Sequence, residues 1–316
     1  MRSRLLTLVL PVVALLAIPA GAQAALTVGI AENNPQMFSD PLFTNLGVKQ
    51  TRLVVSWNAI SRKGDDEINR VAAYVGAAQA QGITPLVTFE HARGDATICN
   101  KRKNRRKIQC KLPTPKQYER ALKAFKKRFP YVKNVVAWNE INHFTQPTYK
   151  NPKAAARFTT IARKVFKGGT VVAADVLDQA DNTRAKHPTF RSATRYIKAF
   201  RHYYKGPRTV CGVHNYSDIN RFRTTGTKAL IKALGCKQIW LTEAGGIFKF
   251  TGFKASQSRQ LKATKYMFRV ARSIKKIKRL YVYTWFGGVT SRFDAGLVAK
   301  GKPRKAYAEV RKHIKK

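Results

Sequence analysis

Residues 134–140 read Asn134-Val135-Val136-Ala137-Trp138-Asn139-Glu140, an apolar run that ends abruptly on two polar residues. An amphipathic helical pattern precedes the run at Pro115–Arg128, and another follows at Asn151–Phe166. A short β-branched string between two helices is the signature of a buried parallel strand, covered on both faces and therefore not alternating. Reading outward, the same unit recurs. Strand-like runs fall at Leu26–Ile30, Thr51–Trp57, Ile83–Phe89, Asn134–Asn139, Thr170–Asp175, Thr209–His214, Gln238–Thr242 and Arg279–Trp285. Helical patterns separate them at Asp65–Gln81, Pro115–Arg128, Asn151–Phe166, Phe190–Tyr204, Thr227–Leu234 and Ser256–Ile274, and Pro303–Ile314 closes the chain. Only the short segment Pro41–Leu46 follows the first strand. Gly82, Gly168 and Gly235 stand where helices should stop. Eight such units in one chain predict a single-domain α/β fold, a (β/α)8 TIM barrel. A doubly wound dinucleotide-binding sheet is the competing architecture. Its Gly-x-Gly-x-x-Gly turn is missing after the first strand, where the chain reads Gly29-Ile30-Ala31-Glu32-Asn33-Asn34.

The chain has 316 residues, and 61 Lys+Arg against 16 Asp+Glu give a formal charge of +45. Hydrophobic content of 44% is enough for a full core, so disorder is excluded. The charge implies an anionic partner or surrounding without choosing a fold. At the N-terminus, Arg2 and Arg4 precede an apolar run from Leu5 to Ile18, then Pro19, Gly21 and Ala22-Gln23-Ala24. This layout predicts a secretory signal over 1–24, too short for a comfortable transmembrane span, and a catalytic domain over 25–316. The expected location is extracellular or associated with the cell envelope, with no membrane span after signal removal. Export makes disulfides permissible. Cys99, Cys110, Cys211 and Cys236 allow three pairings; the expected one is Cys99–Cys110, stapling a short polar loop, with Cys211–Cys236 tying neighbouring elements. Zinc is the rival use of these residues, but Cys-x-x-Cys spacing is absent, so a metal site is not expected.

In a barrel of this kind chemistry gathers at the C-terminal ends of the strands. Those ends read Phe89-Glu90-His91, Trp138-Asn139-Glu140, His214-Asn215-Tyr216, Thr242-Glu243-Ala244-Gly245 and Thr284-Trp285-Phe286-Gly287, with Arg52 inside the second strand. A Glu closing a buried strand costs desolvation and needs a partner or a purpose. Each Glu alone could be structural. Together, at the mouths of strands 4 and 7, Glu140 and Glu243 fit a two-carboxylate glycosidase in which one acid protonates the leaving oxygen and the other attacks the anomeric carbon.

These residues resemble the clan A glycoside hydrolases, retaining enzymes with catalytic Glu residues at strands 4 and 7. The resemblance runs along the chain after the leader and is carried by Asn139-Glu140, His214-x-Tyr216, Thr242-Glu243-x-Gly245 and Trp285. It implies Glu140 as acid/base and Glu243 as nucleophile. It further implies that Asn139 bonds the sugar 2-hydroxyl, that Tyr216 and Arg52 steady Glu243, and that His214 lines the site near the acid/base. His91 would contact the central sugar and Trp285 would stack beneath it. Glu140 should then have a raised pKa and Glu243 neighbours that keep it charged. Ile141 departs from the Pro that several clan families carry after the acid/base, which blurs the subfamily. The segment Asp294–Tyr307 matches the way many such barrels lead into a closing helix.

Bland readings stand beside these roles. Arg52 could be a barrel ion pair, His91 and His214 satisfied core histidines, and Trp285, like Trp57 and Trp138, plain core. His143, Glu32 and Asn33 are further candidates for contact with substrate. Basic residues at Arg120–Arg128 and Arg272–Arg279 read as a solvated exterior. Lys101-Arg102-Lys103-Asn104-Arg105-Arg106-Lys107, between two cysteines and after strand 3, would hang over the mouth. It suggests an anionic glycan or wall polymer as substrate, or attachment to an anionic envelope. The function expected is therefore a secreted retaining glycosidase, monomeric and without cofactor, acting on a polysaccharide or oligosaccharide. The alternative is a barrel that binds glycans or the envelope without cleaving them. Nucleic acid is disfavoured by the leader and by the absence of recognition motifs. HExxH, P-loop and nucleophile-elbow motifs are likewise missing.

Overall fold

The computed structural model describes residues 26–61, 66–182, 186–251, 254–288 and 292–314. The expected leader lies outside the described residues. Eight parallel strand positions form the barrel: Thr27–Ala31, Gln50–Ser56, Thr84–Glu90, Asn134–Val136, the divided fifth strand, Val210–His214, Gln238–Ala244 and Ile277–Tyr283. The fifth strand comes in two pieces. Thr170–Val172 pairs with the fourth strand and Asp175–Leu177 with the sixth. These pieces are the two ends of the sheet's pairing order, yet they are consecutive in the chain, so the sheet closes on itself. The α/β barrel expected from sequence is the fold observed.

Helices alternate with the strands at Asp66–Ala80, Pro115–Arg128, Pro152–Val165, Arg191–Tyr203, Thr225–Leu234, Gln257–Ser273 and Lys305–Ile314, close to the sequence reading. Their boundaries have local causes. Thr114 and Gln117 form a reciprocal capping box at the start of Pro115–Arg128. Gly235, at φ 61°, ends Thr225–Leu234 in the left-handed conformation that glycine adopts without strain. Two differences matter for the site. The fourth strand leaves regular pairing after Val136, although Asn139 N–H still donates to Phe89 O at 2.7 Å. The last strand ends at Tyr283, two residues earlier than the apolar run suggests.

Two apolar layers support this frame. Between barrel and helices lies the main core, which includes Phe43, Phe89, Phe125, Phe158, Phe268 and Trp138. Inside the barrel a smaller layer of Ala31, Leu86, Val136, Val172, Val210, Trp240 and Tyr281 plugs the floor. Above that plug the interior turns polar, with Arg52, Thr88, Asp175, His214 and Thr242 all buried. Gly212 makes this possible: a Cβ there would stand 1.9 Å from Asp175 Oδ1. Over the mouth, Lys249–Phe250 pairs antiparallel with Phe293–Asp294, and a buried Arg304 makes two 2.7 Å bonds to Asp294. No helix among the described residues is long and apolar enough to cross a membrane.

Both disulfides form as expected, Cys99–Cys110 and Cys211–Cys236. The second joins the sixth strand to the segment before the seventh and is buried at both ends. Closing a loop of 25 residues should stabilise the fold by about 3 kcal/mol through the unfolded chain. Cys211→Ala/Cys236→Ala should therefore lower the urea midpoint clearly. Cys99→Ala/Cys110→Ala, which opens a loop of 11 residues, should shift it somewhat less, because the effect grows only with the logarithm of loop length.

Candidate active site

The second strand carries Arg52 into the centre of the barrel, where its side chain is 1% exposed. Nη1 donates to Glu243 Oε1 at 2.6 Å, Nη2 donates to Asn139 Oδ1 at 2.9 Å, and Asp175 Oδ2 lies 3.6 Å from Nη2. A buried guanidinium without these partners would carry a desolvation cost of several kcal/mol. Burial works against the charge, but Glu243 and Asp175 more than offset it, so Arg52 is held still more firmly ionised than usual.

His214, at the end of the sixth strand, is completely buried among three carboxylates. Nδ1 lies 2.9 Å from Glu140 Oε1 and 3.3 Å from Glu243 Oε2, while Nε2 lies 3.1 Å from Asp175 Oδ2. Acceptors on both sides of the ring demand a proton on each nitrogen. Burial opposes the imidazolium, yet the charges of Asp175 and Glu243 and the bonds to Asp175 and Glu140 push the pKa up to about 10.

Glu140 sits just beyond the fourth strand at φ 41°, a backbone conformation non-glycine residues rarely adopt. Strain at such a position persists only where the surroundings enforce it. Burial pushes its carboxyl up, but the bond from His214 and the charges of His214 and His143 outweigh that and hold it below the usual range. The raised pKa expected from sequence is thus not found; the buried imidazolium is the reason. His143 Nδ1 lies 3.4 Å from Glu140 Oε2 and shares a 2.7 Å contact with Thr145 Oγ1.

Glu243 ends the seventh strand. Besides Arg52 it accepts from Tyr216 Oη at 3.3 Å, and burial keeps that phenol protonated. Oxygens of Glu140 and Glu243 and a nitrogen of His214 all lie within 4.8 Å of one another. This spacing could also hold a metal ion, but a His214 ring protonated on both nitrogens has no lone pair to offer one. The cluster reads as a carboxylate–imidazolium network with three carboxylates against two cations.

Of the residues predicted for the site, the fold gathers Arg52, Asn139, Glu140, His214, Tyr216 and Glu243 into this network. His91 lines an adjoining cavity of about 320 Å³ with Glu90, Arg70 and Arg93. Trp285 does not join them. It is fully buried, packs edge-on against Phe43 at 5.4 Å, and donates to Asp40 Oδ2 at 2.9 Å, so it cannot form the floor of a sugar site. Because the strand stops at Tyr283, the turn beyond it carries Trp285 into the outer core. Tyr283 itself faces the mouth, lining a cavity of about 450 Å³ beside Phe293 and Thr284. Glu32 lines the same cavity, but its two oxygens already accept from Asn33 N, Asn34 N, Thr284 Oγ1 and Phe286 N. Asn33 is tied likewise, accepting from Val54 N at 2.7 Å. Trp138 is core, stacked on Phe158 with centroids 4.9 Å apart.

Sequence reasoning missed three members. Asp175 is fully buried, accepts from Thr242 Oγ1, and is held below the usual carboxylate range: burial raises it, but His214 and Arg52 prevail. Glu90 accepts from Asn139 Nδ2 at 3.4 Å and is pushed up by burial, aided by the charges of Glu67, Glu140 and Glu243. Tyr283 is the third. Glu90 and Tyr283 stand at strand ends, the signal that could have found them, whereas Asp175 opens the second piece of the fifth strand.

With this geometry established, the comparisons with known proteins take on meaning. The family model described as glycosyl hydrolase catalytic core matches residues 110–305, more than half of the chain. The chain belongs to that family, and it is a glycosidase. Among solved structures it is similar to the beta-glycosidase BGL167, with TM-score 0.59 and 11% identity over 92% of this chain and 96% of that one. It is also similar to the beta-glucosidase from Thermotoga maritima in complex with noeuromycin, with TM-score 0.56 and 12% identity over 89% of this chain and 86% of the other. A family 39 glycoside hydrolase from the gut symbiont Bacteroides cellulosilyticus WH2 gives TM-score 0.56 and 14% identity, covering 92% of this chain and 64% of that one. At such identities the likeness is one of fold. The search of curated proteins returned no match.

The linkage between His214 and stability has a definite sign. Its raised pKa contributes stability that is fully present below about 6.5 and lost as pH rises toward about 10. The lowered Glu140 and Asp175 contribute stability present above ordinary carboxylate values and lost as pH falls through their depressed ones. His214→Asn should therefore destabilise most at about pH 6, and the difference from wild type should shrink toward pH 10. Urea unfolding of both proteins across pH 6–10 checks this; a difference that stays constant would contradict it.

Proposed function

We propose that the protein is an exported, retaining glycoside hydrolase that cleaves a polysaccharide or oligosaccharide by double displacement. The observation that carries this reading is the close approach of the Glu140 and Glu243 carboxylates, within 4.8 Å of each other across His214. Separations of about 5–5.5 Å suit direct attack by one carboxylate, whereas inverting enzymes leave about 6.5–9.5 Å for a water. Glu243 is the nucleophile, since Arg52 donates to one of its carboxylate oxygens and Tyr216 to the other, fixing their orientation. Glu140 is the acid/base. Its proton is held by the neighbouring His214 Nδ1, so the His214–Glu140 pair is the proton reservoir for the leaving oxygen. Moving that proton turns imidazolium and carboxylate into imidazole and carboxylic acid. After the glycosyl–Glu243 ester forms, Glu140 accepts a proton from the attacking water and the pair returns to its first state. Asn139, fixed by Arg52 and Glu90, bonds the sugar 2-hydroxyl; Tyr283 replaces Trp285 as the aromatic surface at the mouth, and His91 borders the sugar.

The substrate proposed is an anionic glycan or wall polymer. The stapled loop after the third strand folds as three short 3-10 turns, Ala96–Asn100, Arg102–Asn104 and Ile108–Cys110. Its one uncharged member, Asn104, is buried and donates to Ile98 O at 2.9 Å, which leaves Lys101, Arg102, Lys103, Arg105, Arg106 and Lys107 exposed. Gln109 packs against Gly94, which lines the same cavity as Glu90 and His91. The cations thus crown one rim of the mouth. The protein acts as a monomer outside the cell or at its envelope, consistent with two disulfides; residues 1–24 serve as the leader and 25–316 as the catalytic domain.

Two measurements test this reading. On activated aryl glycosides, Glu140→Ala should lose about 10²–10⁴-fold where the leaving group needs protonation. Glu243→Ala should lose at least as much, and the first product seen by NMR should keep the substrate's anomeric configuration. Inverted product, or wild type no faster than Glu243→Ala on every sugar, defeats the mechanism. For the loop, replacing Lys101, Arg102, Arg105 and Arg106 by Gln should raise KM on an anionic polysaccharide at low salt and leave small neutral aryl glycosides unaffected. Unchanged KM on the anionic polymer would remove the loop from substrate recognition.

A further inference from the structure

One sizeable cavity lies away from the mouth. It is a groove of about 1080 Å³ on the outer wall, between helix Arg191–Tyr203 and helix Thr225–Leu234. Its lining is cationic and contains no Asp or Glu. Along the first helix Arg191, Arg195, Lys198 and Arg201 recur at helical spacing, so their heads fall on one face over about 15 Å. Lys232 faces them from the second helix, and Lys205 extends the row beyond Tyr203.

Part of this charge has a structural use. Arg201 Nη1 donates to Ala233 O at 2.8 Å and Arg208 Nη1 to Leu234 O at 3.2 Å, satisfying carbonyls at the end of Thr225–Leu234. The others do not. Arg195, Lys198, Lys205 and Lys232 are exposed, and among the described residues none of them has a carboxylate within ion-pair distance. Five or more like charges along one groove repel each other, and an anionic ligand would relieve that repulsion. By contrast, Lys123 and Lys164, on the neighbouring basic helices, share Glu119 at 2.8 and 3.3 Å.

We propose that this groove is a second, non-catalytic binding site for an extended anionic polysaccharide. The inference rests on the glycosidase reading for the polymer's class, while the anionic character comes from the groove itself. Its length and open shape suit several repeat units of a linear chain. Its one lining tyrosine, Tyr204, is buried with its hydroxyl donated to Pro207 O at 3.1 Å, which leaves His202 as the one exposed ring in the lining, too small a platform for a run of stacked bases. Many cations and a single small ring favour carboxylate- or sulfate-bearing sugars over single-stranded nucleic acid. A polymer held here would keep the enzyme on its substrate between cleavages, raising the local concentration of chain at the mouth.

The test uses the full-length mature enzyme and two charge-matched variants. Arg195→Glu/Lys198→Glu/Lys232→Glu reverses the groove; Lys116→Glu/Arg120→Glu/Lys127→Glu reverses three exposed cations on helix Pro115–Arg128. The probes are polygalacturonate, long-chain inorganic polyphosphate, duplex DNA and a neutral soluble β-glucan. The groove variant should lose about tenfold or more in affinity for polygalacturonate, whereas the control loses only a few-fold. Circular dichroism and thermal unfolding establish that both variants are folded. Equal losses in the two variants overturn the proposal, because net charge alone would then account for binding. So does a groove-specific loss confined to polyphosphate or DNA, which would assign the groove to phosphate polymers. Hydrolysis of aryl glycosides, measured in parallel, reports separately on the mouth: its absence in wild type would sink the glycosidase mechanism while leaving the binding comparison readable.

Discussion

The buried guanidinium of Arg52 is the constraint on which the rest of this site depends. A permanent cation at the centre of a barrel is tolerable only if counter-charges surround it with good geometry. Here two counter-charges, Glu243 from the seventh strand and Asp175 from the fifth, are joined by the amide oxygen of Asn139, just past the fourth. One side chain therefore fixes the relative placement of elements far apart in the chain. The acid/base and the nucleophile proposed here are not two independent residues that happen to meet. Glu243 is oriented by Arg52 directly, and Glu140 follows Asn139, which Arg52 holds.

His214 divides the remaining charge. Three carboxylates converge on its ring, and the imidazolium they enforce in turn keeps Glu140 and Asp175 ionised. A simple desolvation argument gives a buried acid with a raised pKa, as sequence reasoning expects of Glu140. Burial does act in that direction, but it is outweighed, because the cation that offsets it is buried as well. The raised carboxyl is instead Glu90, which lacks so close a cationic partner, His91 lying 3.8 Å away. Proton position in this site is thus a property of the pair Glu140–His214, with Asp175 setting the basicity of the ring from its far side.

What could be read in the sequence follows from what leaves a linear trace. Parallel strands buried on both faces write continuous apolar strings, and the seven main helices write amphipathic ones, so the barrel and the strand-end pair Glu140 and Glu243 were legible. The disulfides were legible because Cys99 and Cys110 flank one short loop. Asp175 was not assigned a role because its importance comes from Arg52 and His214, which approach it from other strands and leave no mark near it. The fate of Trp285 depends on where the last strand stops. An aromatic run such as Tyr281-Val282-Tyr283-Thr284-Trp285 contains no residue that signals its end at Tyr283, so the wrong aromatic was placed at the mouth. The division of the fifth strand between two partners is likewise a closure property of the whole sheet.

The charge of the molecule finally has a structural explanation. Glu32, Glu67, Asp175, Asp178, Asp218 and Asp294 are all buried, and Glu90, Glu140 and Glu243 line the interior of the mouth. More than half of the 16 acidic residues are therefore spent inside, as caps, ties and site groups. The outer wall is left with the basic residues and few counter-charges. The exterior is cationic by depletion as much as by enrichment, and this separates two fields of opposite sign. The barrel interior, with an excess of carboxylate, is suited to a developing positive charge on a sugar ring. The exterior attracts polyanions over a range set by the Debye length. A neutral small glycoside would feel only the first field, an anionic polymer both, so salt should govern the approach of the polymer far more than the chemistry at the mouth.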